Sequence, residues 1–198
     1  MLISSEHIKT AVLCWFRFAR QYHYVATEIG YWSADVAGAT PTMLVEVEVK
    51  VSKSDFMRDF QKSKHAHYLK KMSNDPTWKY TWAPNKFFFA VPDHLEEFAL
   101  KHLEETKSPY GLIVVRHEQG GHYPVDKAAY VAKQAKYLHR DPPKKGMFDT
   151  FLSRMSSAIC IDAINAEMLR NHKEELKSLN DKLAKLPDID PEVPDGLV

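Results

Sequence analysis

Two short apolar runs, KFFFAVP at 86–92 and GLIVV at 111–115, do most to limit the folds open to this chain. Neither run alternates apolar with polar residues, so each predicts a strand that is buried on both faces of its sheet. Segments with helical spacing of apolar residues, such as 4–22 and 93–106, lie before and between these strands. Because strands interleave with helices, the sequence predicts an α/β fold.

The charge of the chain is distributed unevenly. The formal net charge of its 198 residues is only +1, which gives no global argument for a nucleic-acid partner. Lysine and arginine nevertheless concentrate in residues 50–86 and 127–145, whereas the last twelve residues are acidic. Two basic zones and an acidic tail can average to near neutrality and still leave a positive face.

Three parts are predicted along the chain. Residues 1–146 should form an α/β domain, and 147–186 a C-terminal helical extension that packs on the domain or on a partner. Residues 187–198 should be a disordered acidic tail. The two cysteines form no CxxC pair, and no basic segment precedes an apolar one at the N-terminus. No apolar run approaches the roughly 18 residues of a spanning helix. We therefore expect a cytoplasmic protein with no membrane partner.

The segment MLVEVEVKV at 43–51 is the clearest strand pattern in the chain. Its valines should point to one face of the sheet, and Glu46, Glu48 and Lys50 to the other, because side chains alternate along a strand. Carboxylates that share one face repel each other, and Lys50 or a bound divalent cation would relieve that repulsion. A solvent-facing edge strand with a polar face would give the same pattern.

Asp35 lies thirteen residues before Glu48, in a glycine-flanked segment that predicts a turn or hairpin over 30–41. A hairpin would bring Asp35 beside Glu48. Mg²⁺ prefers carboxylate oxygens together with water and phosphate oxygens, so Asp35, Glu48 and the backbone carbonyl of Val49 are candidate ligands. Such a metal would lower the pKa of a bound water. Lys50 could then orient that water or stabilise charge that grows in the transition state.

Asp35 followed by Glu48-Val49-Lys50 resembles the signature of the PD-(D/E)XK, or restriction-endonuclease-like, nuclease superfamily. The continuation KVSKSDFMRDFQKSKHAHYL, then NKFFFAVP, then YGLIVV, is similar to the narrower MmcB-like group of DNA-repair nucleases. Similar proteins occur in phages. The resemblance covers roughly residues 22–116, and it departs from the superfamily pattern in having Ala34 where the name gives proline.

The resemblance implies a central mixed β-sheet flanked by helices and a Mg²⁺ (or Mn²⁺) site. It implies a nuclease that hydrolyses phosphodiester bonds in DNA, with Asp35 and Glu48 as metal ligands and Lys50 as a catalytic residue. Glu28, in the preceding strand, matches a secondary acid at the edge of such sites. The alternative is a catalytically inactive module on the same fold that binds nucleic acid or a protein, for example a phage accessory protein.

A single lysine-rich helix is predicted over 53–72, directly after the ExK strand. Candidate contacts to nucleic-acid phosphates are Ser52, Lys62, Lys64 and His65. An ordinary solvated helix face is the alternative for each lysine. Asp55 could support Lys50 or a second metal, or it could cap the helix together with Ser54.

Two further helices are predicted in the C-terminal third of the chain. A basic helix is expected over 126–139. The Met/Phe pattern of 147–159 should be core or a dimer contact, which makes a homodimer through the C-terminal helix a candidate assembly.

Overall fold

The structure, a computed structural model, describes residues 4–30, 32–78, 82–116 and 129–183, with side chains as far as residue 180. Within these ranges six strands form one sheet in chain order: β1 (Tyr24–Ile29), β2 (Ala34–Thr40), β3 (Met43–Val49), β4 (Lys86–Pro92), β5 (Gly111–Val115) and β6 (Ala129–Lys133). The same ranges contain five α-helices: α1 (Ser5–Cys14), α2 (Lys53–Asp59), α3 (Ser63–Met72), α4 (Glu96–Glu105) and α5 (Lys145–Leu183).

The sheet is mixed. Strands β3, β4 and β5 run parallel to one another, and the remaining pairs are antiparallel. The two apolar runs of the sequence are the central strands β4 and β5, and every residue of both is buried except Lys86, which is half-buried. The predicted α/β fold, a mixed sheet flanked by helices with a C-terminal helix, is confirmed.

Helices cover both faces of the sheet, as two-sided burial of the central strands requires. On one face, α1 and the π-helical turn that follows it pack Ile8, Val12 and Phe16 against the valines of β3. On the other face, α2, α3 and α4 pack their apolar residues against the alternate residues of β4 and β5. Glu46, Glu48 and Lys50 belong to this second face by strand alternation, so their charged groups lie on the face that α2, α3 and α4 cover.

The chain divides into two compact units, Met1–Met155 and Ser156–Val198. The first turns of α5 belong to the first unit, where Met147 and Phe151 are buried in an apolar cluster with alanines of β1 and β2. In the second unit, every described side chain up to residue 180 is exposed. None of the helices in the described ranges, the 39-residue α5 included, is apolar enough over sufficient length to cross a membrane.

Two local predictions are wrong. Residues 129–133 form strand β6 instead of part of a basic helix, because pairing with the edge of β5 overrides helix propensity. Residues 53–72 form two helices instead of one, separated at 60–62. Of the turn or hairpin predicted over 30–41, the hairpin is present, with Asp35 in strand β2, which pairs with β3. Residues 117–128, which include the predicted start of the basic helix, and the predicted tail 187–198 lie outside the described residues.

The placement of the first turns of α5 can be tested with two adjacent residues. Phe151→Ala should lower the free energy of unfolding by about 3–5 kcal/mol, because the ring is fully buried. Leu152→Ala, at a position 52% exposed, should change it by about 0.5 kcal/mol or less. Urea denaturation followed by circular dichroism measures both. Equal losses of stability in the two variants would contradict the packing of the first turns of α5 into the first unit.

Candidate functional site

Asp35 and Glu48 lie side by side on neighbouring strands. The hairpin of β2 and β3 pairs Val36 with Val47, so the next position along each strand sets Asp35 opposite Glu48. Directly opposed residues of an antiparallel pair place their side chains on the same face, about 4.5–5.5 Å apart at Cβ. The predicted convergence of the two acids is therefore present, and a β-hairpin produces it.

Glu28 continues this row onto β1. The pairings that flank it, Thr27 with Val36 and Ile29 with Ala34, set Glu28 level with Asp35. Its backbone has a φ of +51°, in the left-handed region that few residues other than glycine adopt. Glu28 Oε1 accepts a hydrogen bond of 3.0 Å from Lys9 Nζ of α1. The same ammonium lies 3.6 Å from Asp35 Oδ1, so Lys9 bridges the two acids.

Asp35 is the part of the carboxylate pair that reaches solvent, with 23% of its side chain exposed. Burial raises the pKa of Asp35 above its ordinary value, and the charge of Glu48 raises it further. The backbone N–H of Val49, which donates to Asp35 Oδ2 at 2.8 Å, acts in the opposite direction, as do Lys9 and Lys50. The surroundings of Asp35 therefore favour its charged form less than water does.

Glu48 is buried and is contacted by three lysines. Its Oε2 lies 3.1 Å from Lys50 Nζ and 3.4 Å from Lys62 Nζ. Its Oε1 accepts a hydrogen bond from Lys64 Nζ. The side chain of Lys64 is only 2% exposed and that of Lys62 is 51% exposed, so one of these cations is fixed in the interior and the other is open to solvent. Burying a carboxylate is costly unless cations and hydrogen bonds satisfy it, and this arrangement does so.

Lys50 Nζ lies between two carboxylates. It is 3.1 Å from Glu48 Oε2 and 2.8 Å from Asp59 Oδ1. Burial on its own lowers the pKa of Lys50, but the hydrogen bond and charge of Asp59 and the charge of Glu48 raise it above the ordinary value. Lys50 is therefore a charged ammonium, held in a defined position on the face of the sheet that carries Glu48.

Asp59 connects this cluster to the aromatic core. Its Oδ2 lies 2.8 Å from His65 Nε2, and His65 Nδ1 lies 3.0 Å from the Tyr110 hydroxyl. Burial works to raise the pKa of Asp59, but hydrogen bonds from His65, Lys50 and Lys62 hold it well below its usual range. Asp59 is therefore an ionised carboxylate with almost no contact with water.

Glu46 lies deeper in the same face than Glu48. Its Oε2 accepts a hydrogen bond of 2.7 Å from the Tyr68 hydroxyl, and its Oε1 lies 3.6 Å from Lys64 Nζ. Complete burial raises the pKa of Glu46 to about 7, although Lys64 and Tyr68 act against that shift. Glu46 therefore helps to hold the Lys64 ammonium against Glu48. Its own carboxyl group is protonated or ionised according to pH.

The four residues predicted to contact phosphate fall into two groups. Lys64 and His65 are buried and are engaged by Glu48 and Asp59, so they face the interior of the cluster. Lys62 is exposed, and Ser52 is half-buried. Ser52 is the N-cap of α2, since its Oγ accepts from the backbone N–H of Asp55, so the predicted cap at Ser54 is displaced by two residues.

Sequence reasoning missed the contributions of Lys9, Asp59, Tyr68 and Tyr110. One signal was available for Asp59, because it shares a helical face with buried Phe56, three residues earlier. Asp55, considered as support for Lys50, instead pairs with Arg58 at 3.7 Å. No pattern in the sequence relates Lys9 or Tyr110 to the ExK strand.

The donor chemistry of the site suits a hard divalent cation. Asp35 and Glu48 present carboxylate oxygens, the ligands that Mg²⁺ and Mn²⁺ prefer. The raised pKa of Asp35 marks a position where an added cation would be stabilising. Among the residues that the structure describes, however, no group of three or more His, Cys, Asp or Glu side chains is arranged to hold a metal ion. The fit therefore rests on two carboxylates, with the remaining coordination left to water, backbone or substrate oxygens.

Comparison with known proteins adds a fold neighbour. No family model and no curated protein matches the chain. A solved structure of a protein of unknown function from Silicibacter pomeroyi is similar over 83% of this chain and 92% of that one, with a TM-score of 0.54 and 18% sequence identity. At this identity the likeness shows a shared α/β fold and carries no information on activity.

The buried state of Glu46 predicts a specific pH dependence. The pKa of Glu46 rises from an ordinary 4.5 to about 7, so between these values the folded protein binds a proton that the unfolded chain has lost. Ionising this carboxyl group therefore costs stability as the pH rises. Glu46→Gln removes that cost, so the variant should gain stability relative to wild type from about pH 4.5 to about pH 7 and level off above.

Urea denaturation across this pH range measures the difference. Glu105→Gln, at an exposed position of α4, corrects for the general effect of removing one negative charge. A stability difference between Glu46→Gln and wild type that stays constant with pH would show that the carboxyl group does not titrate in this window.

Proposed function

We propose that this protein is a divalent-metal-dependent nuclease of the PD-(D/E)XK type that hydrolyses phosphodiester bonds in DNA. One observation carries the proposal: Asp35 and Glu48 are opposed on adjacent strands, with the Lys50 ammonium 3.1 Å from Glu48 on the same face.

Asp35 and Glu48 would hold the Mg²⁺ or Mn²⁺ ion. Bound there, the ion would polarise the phosphodiester group and lower the pKa of a coordinated water. The metal site is open at Asp35, whose side chain is partly exposed, and closed at Glu48, which is buried. A phosphodiester group would therefore approach from the side of Asp35.

The lysines of the cluster supply positive charge where the reaction would develop negative charge. Lys50 is buried, charged and already fixed in place, so it would stabilise that charge without reorganising. Lys62 is half exposed and lies at the rim of the cluster, where a phosphate could contact it. Glu28 holds Lys9 against Asp35 and so has a secondary role at the edge of the site.

The experiment is cleavage of plasmid DNA, and of single-stranded and linear duplex DNA, with added Mg²⁺ or Mn²⁺. Asp35→Asn and Lys50→Ala should each lower the cleavage rate by about 100-fold or more, the usual effect of removing one group that stabilises a transition state. Lys50→Met, which keeps an aliphatic side chain, serves as a second variant at this buried position. Chelation of the metal should abolish cleavage by the wild type.

Two control variants lie in the helices that cover the same face of the sheet. Asp55→Asn changes a carboxylate that pairs with a surface arginine of α2, and Lys101→Ala changes a lysine of α4 that is 73% exposed. Both should retain wild-type rates. Full activity in folded Lys50→Ala protein would refute the role of Lys50. Absence of metal-dependent cleavage by the wild type on all these substrates would refute the nuclease.

A binding module on the same fold is the second candidate, and a specific observation favours it. The ammonium groups of Lys50, Lys62 and Lys64 already neutralise Glu48, as they would in a site that no longer uses a metal. The second unit also exposes large apolar side chains along α5, a surface that a partner could cover: Ile159, Ile161, Ile164, Met168, Leu169, Leu176 and Leu179.

Metal titration separates the two candidates. Under the nuclease proposal, Mn²⁺ should bind the wild type and bind Asp35→Asn more weakly, as measured by calorimetry. Under the binding-module proposal, neither protein binds Mn²⁺, and truncation within α5 weakens partner or nucleic-acid binding without any effect of Asp35→Asn.

A further inference from the structure

We propose that Asp59, His65 and Tyr110 form a buried anchor that holds the Lys50 ammonium in position beside Glu48. These three residues are called the Lys50 anchor. They are positioning residues: none of them belongs to the carboxylate pair, and they act on the site through Lys50. Their effect on catalysis rests on the proposed nuclease function, whereas their effect on Lys50 itself does not.

The contacts run without a gap from the core to the site. The Tyr110 hydroxyl lies 3.0 Å from His65 Nδ1, His65 Nε2 lies 2.8 Å from Asp59 Oδ2, and Asp59 Oδ1 lies 2.8 Å from Lys50 Nζ. A carboxylate can only accept, so the Nε2–H of His65 donates to Asp59. In a neutral ring, Nδ1 is then the acceptor for the Tyr110 hydroxyl. Each group thus fixes the orientation of the next.

Burial makes these contacts strong. The Asp59 side chain is 0% exposed and that of His65 is 6% exposed, so water does not compete for their polar atoms. The His65 ring packs between aromatic rings, with centroids 5.8 Å from Phe60 and 5.3 Å from Phe87. Hydrogen bonds in such surroundings are stronger than in water, and an unsatisfied member would be costly.

The break between α2 and α3 makes the anchor possible. Asp59 is the last residue of α2, and His65 lies in the first turn of α3. In one continuous helix, residues six apart would lie about 9 Å apart along the axis and on different faces. The turn at 60–62 brings the two side chains into contact. Tyr110, directly before β5, ties both helices to the sheet.

The anchor compensates for a weakness in how Lys50 is held. Lys50 follows the last residue of β3, and its long side chain has rotamer freedom that burial alone does not remove. Glu48 would also attract the ammonium, but Lys62 and Lys64 share that carboxylate. Asp59 gives Lys50 a second carboxylate partner. Lys62 Nζ lies 2.5 Å from the same Asp59 Oδ1, and His65 holds the other oxygen, Oδ2, so that Oδ1 stays directed at both ammonium groups.

A purely structural role would predict a different response. If the three residues only stabilised the core, their substitution would lower the free energy of unfolding and leave Lys50 ordered in the protein that remains folded. If they anchor Lys50, the ammonium should become mobile at temperatures where the fold is intact. In an active nuclease, kcat should fall because Lys50 loses its position, and KM should change as well where Asp59 no longer holds Lys62, the proposed phosphate contact.

The test uses the full chain with ¹⁵N-labelled lysine, and NMR of the side-chain ammonium groups reports their mobility. The Lys50 signal is assigned by its loss in Lys50→Met. Asp59→Asn should broaden or shift that signal while the Lys64 signal, held by Glu48 and Glu46, stays in place. Tyr110→Phe should produce a smaller change in the same direction, and Asp55→Asn no change.

Cleavage kinetics give the second measurement. Asp59→Asn should lower kcat by about 10-fold to 100-fold, the loss typical when a residue that orients a functional side chain is replaced. Asp59→Glu, which restores the charge, should recover part of that loss. An unchanged Lys50 signal and an unchanged kcat in folded Asp59→Asn would overturn the proposal. If Asp59→Asn does not fold, the same two results in Tyr110→Phe would overturn it.

The two proposals fail separately. A mobile Lys50 in Asp59→Asn, together with a wild type that cleaves no substrate, would support the anchor and refute the nuclease. A wild type that cleaves DNA, with Lys50 unaffected by either anchor variant, would support the nuclease and refute the anchor.

Discussion

The structure depends on one constraint: Glu46, Glu48 and Lys50 are charged residues on a buried face of a central strand. Burial of an ion costs several kcal/mol unless an opposite charge and hydrogen bonds compensate for it. Lys62, in the turn between α2 and α3, and buried Lys64 of α3 both place an ammonium group against Glu48. The local shape of the chain after β3 follows from the need to neutralise that face.

Much of the fold and of the candidate site could be predicted from apolar runs and from the alternation of side chains along strands. The apolar runs identified the two central strands, since only a sheet covered on both faces buries them fully. Strand alternation placed Glu48 and Lys50 on one face, and the spacing of thirteen residues allowed Asp35 to return beside them. Of the turn or hairpin that Gly38 and Pro41 suggested, the hairpin formed, and pairing with β1 and β3 on both sides holds Asp35 in a strand.

The remaining features depend on contacts between distant parts of the chain. The break at 60–62 contains neither glycine nor proline, and it forms where Asp59 turns inward to Lys50 and His65. Strand β6 replaces a helix because β5 offers an unpaired edge. Lys9 reaches Asp35 only because α1 packs on the sheet. In the first two cases a tertiary contact outweighs a local preference of at most about 1 kcal/mol per residue.

The charge of the cluster connects its stability to its proposed chemistry. When all are ionised, Glu28, Asp35, Glu46, Glu48 and Asp59 exceed the ammonium groups of Lys9, Lys50, Lys62 and Lys64 by one negative charge. Protonation of Glu46, whose pKa is about 7, would bring the two sets into balance. With Glu46 ionised, a divalent cation would leave one positive charge in excess, which is the complement of a phosphodiester group. The same residues can thus be stable without a ligand and still favour a metal ion and a phosphate together, because each ligand alone leaves a charge that the other neutralises.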